Sequence, residues 1–285
     1  MNPFVFLPLV SWAAVAVVMI LVWVWAYRIK NAGIVDIFWA FNFLVIALVI
    51  WFLAGEKTVA TDQVVSDIKG WHTTIFPEAN VYRKIMVCGL AALWSLRLGT
   101  YLLIRVGSHL AEEEGRYKQL RKEWAPNANA KFFVFFQMQA LSNVFLAIPF
   151  FIIALNPDPQ ISIVEYIGAT LWLIAIIGEG LADWQLQHFN KNPANKGKVC
   201  QYGLWNYSRH PNYFFQLMLW ISVFIFALGS PYGWISIVCP LTIGFLIFKV
   251  TGIPMTEEQA IRSKGDAYRE YQRTTSVFVP LPKKK

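Results

Sequence analysis

Charge is scarce in this chain: Asp, Glu, Lys and Arg together make up 15% of its 285 residues. Soluble domains carry about a quarter charged residues, so an ordinary water-soluble fold is excluded at the outset. Cysteine is scarcer still. Cys88, Cys200 and Cys239 lie far apart and form no CxxC pair, which argues against a disulfide framework and a thiolate zinc site. They read as small apolar fillers. No other histidine lies at ligand spacing from His210, so no metal site is expected. No Gly-x-Gly-x-x-Gly run follows a strand pattern, which removes a Rossmann dinucleotide site. Internal repeats, low-complexity runs and a separable soluble domain are also lacking, so residues 1–285 read as one integral membrane domain.

What is present is apolar. Hydrophobic residues make up 56% of the chain, with 13 Trp and 22 Phe, and the mean hydropathy is +0.45. That composition belongs to a polytopic membrane protein with aromatic residues at the bilayer interfaces. A spanning helix needs roughly 20 apolar residues. Seven stretches qualify: about 4–26, 34–54, 82–104, 132–154, 161–183, 213–229 and 233–253. The expected fold class is all-α, a polytopic bundle of about seven transmembrane helices. The first stretch has no basic leader and no small-residue cleavage site, so it reads as a retained helix rather than a signal peptide.

Basic residues set the expected orientation. Arg28 and Lys30 follow the first span; Arg116, Lys118, Arg121, Lys122 and Lys131 follow the third. Lys191, Lys196, Lys198 and Arg209 follow the fifth, and Arg262 to Lys285 follow the seventh. The intervening loops "NPDPQ" and "GSPYG" carry no basic residue, and the 55–82 loop is mixed. The positive-inside rule then places the N-terminus outside and the C-terminus in the cytoplasm. The formal charge of +8 is explained by that topology, and no nucleic-acid role is expected.

Several ionisable groups sit within or beside the spans, where they are rare and point to function. Asp36 opens the second span. Arg97, Tyr101 and Arg105 recur at one-turn spacing on a single face of the third. Glu179 and Asp183 repeat the i, i+4 spacing near the end of the fifth, with Gln187 a turn further on. Asp36, Arg105, Asp183 and Arg209 all fall near the cytoplasmic ends of their helices, as a polar mouth open to that side requires. The arginines and Lys196 and Lys198 offer phosphate contacts. The interleaved tyrosines offer stacking and hydroxyls, and Asp183 offers an acceptor for ribose hydroxyls. This mixture suits a phosphate-bearing dinucleotide.

The segment "WNYSRHPNYFF" (205–215) concentrates this chemistry at the entry to the sixth span. Pro211 suits the first turn of a helix, and the helix start adds anion-binding character to Arg209 and His210 beside it.

With its surroundings, this segment resembles the signature of the steroid 5-alpha-reductase-like membrane proteins. The ordered set "IVDIFWA", "WSLRLGTYLLIR", "EGRYKQLRKEW", "FFQMQAL", "ADWQLQHFNKNPANKGKVCQYGLW" and "GDAYREYQRTTSVFVP" extends the resemblance over most of the chain. The RHPNY block alone is shared more loosely with sterol C14 reductases and isoprenylcysteine methyltransferases. The resemblance implies a helical bundle with NADPH at its cytoplasmic end, in a cofactor-binding half of about 90–285. It also implies a lipophilic substrate entering from the bilayer and undergoing reduction of an electron-poor carbon–carbon double bond. Family contacts carry over onto Asp183, Asn212, Arg105 and Lys198, with Arg209, His210 and Tyr213 adjacent. Arg97, Gln216, Tyr268 and Tyr271 complete the expected cofactor set.

Two positions depart from the steroid reductases. Gln216 stands where they have a glutamate, and Trp94 takes the place of the tyrosine that polarises a substrate ketone. Asp36 and Tyr101 are therefore the expected proton donors, chosen by location. A membrane methyltransferase using S-adenosylmethionine and a non-catalytic lipid-binding membrane protein are the alternatives. Membrane lipids are expected partners and a bacterial inner membrane the expected location, with the oligomeric state left open.

Overall fold

The computed structural model describes residues 2–54, 80–108, 110–113 and 115–283. Most of the expected 55–82 loop therefore lies outside the described residues. The secondary structure is helical: α1 (Pro3–Ile29), α2 (Ile34–Leu53), α3 (Val81–Gly107), α4 (Gly115–Glu123), α5 (Ala128–Leu146), α6 (Ile148–Ala154), α7 (Ile163–Lys191), α8 (Pro211–Ala227), α9 (Val238–Phe245), α10 (Ile253–Lys264) and α11 (Asp266–Thr274). Among the described residues the one β-type pairing is an isolated parallel bridge, Ser208 to Ser276. The all-α expectation holds.

Among the described residues, six helical runs are long and apolar enough to cross a bilayer: Pro3–Ile29, Ile34–Leu53, Val81–Gly107, Ala128–Ala154, Ile163–Lys191 and Gly233–Lys264. The chain is thus an integral, multi-pass membrane protein. The expected sixth span is α8, an apolar helix of 17 residues, about 25 Å at 1.5 Å per residue. It is shorter than the roughly 30 Å hydrocarbon core. The fourth run is broken between α5 and α6, where Pro149 lies in the first turn of α6. The last passes through a π-helical turn, Leu246–Val250, before the polar helix α10.

The chain forms two compact units. One comprises Met1–Ser162 with Ala227–Gly233, the other Ile163–Phe226 with Trp234–Lys285.

In the first unit, polar side chains tie the apolar helices together. Asn42 of α2 donates to Asn143 of α5 at 2.9 Å, and Asn143 returns a bond to the Trp39 carbonyl at 2.9 Å. The Ser95 hydroxyl on α3 donates to the Ala40 carbonyl at 2.6 Å and accepts from the Leu44 N–H. Two cations at the start of α3 are fully buried. The Arg83 guanidinium collects the carbonyls of Asn156, Asp158 and Gln160, while the Lys84 ammonium takes those of Trp51 and Ala54 at the end of α2. Helix C-terminal carbonyls lack partners within their own helix and carry partial negative charge, so Lys84 closes the end of α2, while Arg83 gathers carbonyls of the loop after α6.

In the second unit, α7 and α8 approach closely at two glycines. A Cβ on Gly168 would stand 2.4 Å from the Phe226 backbone nitrogen, and one on Gly178 would stand 2.3 Å from the Phe215 ring. Small residues at such crossings are the usual way membrane helices bring their backbones together.

Candidate functional site

The loop from α7 to α8 is pinned before it turns into the membrane. Gln185 on α7 accepts the Leu204 N–H at 2.9 Å. Gly203 lets it do so: its φ is +59, and a Cβ there would meet the Gln185 amide at 2.3 Å. The Trp205 indole donates to the Ala182 carbonyl at 2.9 Å. Pro211 then opens α8, as its fixed φ and missing N–H favour.

This geometry sets two amides of α8 against two carboxylates of α7. Asn212 donates to Asp183 at 3.3 Å, and its amide oxygen accepts the Tyr213 N–H at 3.0 Å. One turn further, Gln216 turns its amide nitrogen to Glu179 at 2.7 Å and accepts from the Trp220 indole at 3.2 Å. The acceptor-only carboxylate and the donor-only indole assign that amide orientation. Asp183 is 5% exposed and Glu179 4% exposed. Carboxylates so deep require partners, and here each has an amide from α8. Both pairs follow the i, i+4 spacing of their helices, so they stack as a two-rung ladder.

A second cluster lies at the foot of α8 and centres on Glu257 of α10. Arg209 Nε donates to Glu257 at 2.7 Å, His210 Nε2 lies 3.2 Å from the same oxygen, and Gln272 donates to the other oxygen at 2.8 Å. The Tyr268 hydroxyl stands 3.5 Å away. Arg209 Nη1 also reaches the carbonyls of Gln272 and Thr275 at 3.0 and 2.7 Å. His210 stacks on Tyr213 at 5.4 Å with rings 6° from parallel, and the Tyr213 hydroxyl pairs with Thr256 at 3.1 Å. The Tyr271 hydroxyl reaches the carbonyls of Trp205 and Ser208.

The C-terminal segment runs alongside. The Arg209 N–H donates to the Ser276 carbonyl at 2.9 Å, the Ser208 hydroxyl to the Phe278 carbonyl at 2.7 Å, and the Leu281 N–H to the Tyr207 carbonyl at 3.0 Å. Burial, and next the Glu257 charge, push the Tyr268 phenol well above its usual value; burial does the same for Tyr271. Both are neutral hydrogen-bonding groups at physiological pH.

The expected cofactor residues of this unit, Lys198 apart, thus fall into two sets. Asp183, Asn212 and Gln216 form the ladder. Arg209, His210, Tyr213, Tyr268 and Tyr271 fasten the foot of α8 to α10, α11 and the C-terminal segment. Lys198 is exposed on the connecting loop. Arg269 and Arg273 pair with Asp266 and Glu270 on their own helix, as exposed ion pairs worth little.

Glu257, Gln272 and Thr256 are members of this cluster that sequence reasoning misses. An Arg–His pair at a membrane entry demands a counter-charge, and the acidic pair in "MTEEQ" is the signal for it.

The remaining candidates belong to the first unit. Arg97, Tyr101 and Arg105 share α3, with Arg105 exposed in its last turn. Asp36 accepts the buried Tyr117 hydroxyl at 2.7 Å and both 3.2 Å bonds from Arg116 Nη2. Burial, and next the Asp36 charge, hold the Tyr117 phenol well above its ordinary value. Asp36 is therefore an acceptor that clamps α4 to the start of α2.

A parallel clamp lies beside it. Glu113 accepts the Ala32 N–H at 2.8 Å and a two-pronged contact from Arg121, 2.8 Å on each oxygen. Burial alone would raise the Glu113 carboxyl, but the hydrogen bonds from Arg121 and Ala32 and the charges of Arg121 and Lys118 outweigh it and leave it lowered. A carboxylate lowered on folding contributes stability above its unfolded value of about 4.3 and loses it as pH falls through the folded value. The wild type should therefore exceed Glu113→Gln in thermal stability at neutral pH, with the gap closing on acidification. A gap unchanged down to about pH 3 would remove the ion pair as its cause.

A family model described as a protein of unknown function, DUF1295, matches residues 56–275. No curated protein and no solved structure matches. The match takes in both the ladder and the Glu257 cluster but leaves out Asp36 and the C-terminal segment beyond Thr275. It covers well over half the chain, and on that ground the chain belongs to the DUF1295 family.

Proposed function

We propose that this protein is a membrane-embedded, NADPH-dependent reductase of a carbon–carbon double bond in a lipophilic substrate. The observation that carries this reading is the ladder of Asp183–Asn212 and Glu179–Gln216 between α7 and α8. Two buried carboxylates and two amides stacked at a helix entry form a set of acceptors and donors for ribose hydroxyls and a carboxamide. The exposed Lys196 and Lys198 of the adjoining loop add charges for phosphates. The donor set within this one unit therefore fits a nicotinamide dinucleotide. NADPH supplies a hydride for an electron-poor alkene when bound.

In this reading, Asn212 is held by Asp183 and the Tyr213 N–H so that the first turn of α8 keeps one orientation. Asp183 accepts hydroxyl protons, and Gln216 presents an uncharged amide next to Glu179. The resemblance to steroid 5-alpha-reductase-like proteins supports the same reading. The basic loops facing the cytoplasm would put the cofactor on that side.

A second reading is favoured by the commitment of Arg209. Its Nε and Nη1 are engaged by Glu257 and two carbonyls, which leaves one expected phosphate contact serving the protein itself. Two buried carboxylates also suit a cationic sulfonium. A methyltransferase using S-adenosylmethionine therefore stands as the alternative.

Titration of the purified protein in detergent decides between them. NADPH should bind, and Asp183→Ala should weaken it by tenfold or more, about 1.4 kcal/mol. S-adenosylmethionine binding without NADPH binding transfers the case to the methyltransferase. Absence of binding by NADPH and NADH alike rejects the reductase.

A further inference from the structure

We propose that the first unit carries a binding site for an anionic phospholipid in the groove where the α4–α5 turn meets α5. The groove is lined by Trp124, Ala130, Lys131, Val134 and Phe135 and has a volume of about 490 Å³. Among the described residues, Lys131 is its one charged lining residue. Trp124 forms an aromatic wall with Phe132, 5.0 Å away, and Phe135, 6.2 Å away.

The charges around the groove are partitioned. Arg121 is spent on Glu113 and lies over the Phe132 ring at 4.9 Å. The Lys131 side chain is exposed and makes no hydrogen bond or ion pair among the described residues. A cation without a protein counter-charge at the mouth of an apolar groove, beside an interfacial tryptophan, is the arrangement that receives an acidic headgroup.

The apolar part continues along the same helix. Val134, Met138, Leu141 and Phe145 are 59%, 56%, 48% and 38% exposed, and their spacing of four, three and four residues keeps them on one face of α5. From Val134 to Phe145 this stripe is about 16 Å long at 1.5 Å per residue. One leaflet contributes about half of a 30 Å hydrocarbon core, so the stripe matches a single leaflet's acyl chain. Lys131 and Trp124 sit at its head, where the phosphate of that lipid would lie. The occupant is therefore a whole phospholipid with a net negative headgroup. The site is independent of the reductase reading, since none of its residues belongs to the α7–α8 ladder.

The test is lipid retention. The full-length protein is reconstituted in equal parts phosphatidylglycerol and phosphatidylcholine, extracted, and its bound lipid weighed by native mass spectrometry. Wild type should retain phosphatidylglycerol preferentially. Lys131→Gln should lower that preference about fivefold, the equivalent of about 1 kcal/mol for one surface cation. Lys131→Arg should keep it, and Lys122→Gln should leave it unchanged. Trp124→Ala should reduce retained lipid of both kinds; if that variant fails to fold, the three lysine variants still decide. Equal retention of the two lipids by wild type, or an unchanged preference in Lys131→Gln, overturns the proposal.

Discussion

Gly168→Val should cost the second unit about 3 kcal/mol or more, the upper range for forcing extra volume into a packed contact. The Cβ of any residue at 168 would lie 2.4 Å from the Phe226 nitrogen and 2.6 Å from its Cα. These are backbone atoms of the facing helix and cannot rotate away, so α7 and α8 would have to separate. Separation also pulls Asn212 from Asp183 and Gln216 from Glu179, taking an amide donor from each buried carboxylate. The loss should appear in SDS-induced unfolding from mixed micelles.

Gly178 gives a graded comparison. Its near neighbour is the Phe215 ring, which can turn, so Gly178→Ala should cost less than Gly168→Ala. Gly89 is an exposed glycine of α3, and a Cβ added there would meet nothing within 4 Å, so Gly89→Ala should be close to neutral. If Gly168→Val unfolds like wild type, the close crossing of α7 and α8 is wrong.

Glu257→Ala is expected to be the next most damaging change, at about 3 kcal/mol. Removing one member of a buried ion pair leaves the other charged and uncompensated. Here the side chains of Arg209, His210 and Glu257 are 10%, 3% and 16% exposed, and Gln272 would lose its acceptor as well. Glu257→Gln keeps the shape and one acceptor oxygen, so it should recover part of the loss. Thermal unfolding of the three proteins in the same detergent measures this. Equal stability in wild type and Glu257→Ala would mean that the cluster does not hold the foot of α8. Because His210 carries Tyr213 on its ring, and Tyr213 adjoins Asn212, the same variant should loosen the ladder's first rung. A ligand that uses Asp183 and Asn212 should then bind Glu257→Ala more weakly at temperatures where both proteins remain folded.

Much of this architecture was legible in the residues. Long apolar runs marked the membrane helices because burying backbone in lipid demands helix. The start of α8 was legible from Pro211, whose ring restricts φ and whose nitrogen has no proton to give. The i, i+4 repeat of Glu179 with Asp183 was visible too, since one-turn spacing is a local property of a helix.

What the sequence determined by itself is therefore local or compositional: a multi-pass helical membrane protein, with a polar segment at 205–213 where a helix begins. The tertiary structure alone decided which polar groups meet. Asp183 faces Asn212 and Glu179 faces Gln216 because glycines at 168 and 178 let two helices close on each other. Arg209 and His210 are held by Glu257, 48 and 47 residues further on, a pairing that no periodicity predicts. Asp36 accepts from Tyr117 and Arg116, which come from beyond the next span, partners that its position in the sequence does not foretell. Periodicity tells which side chains share a helix face, but the partner across that face depends on how the chain returns.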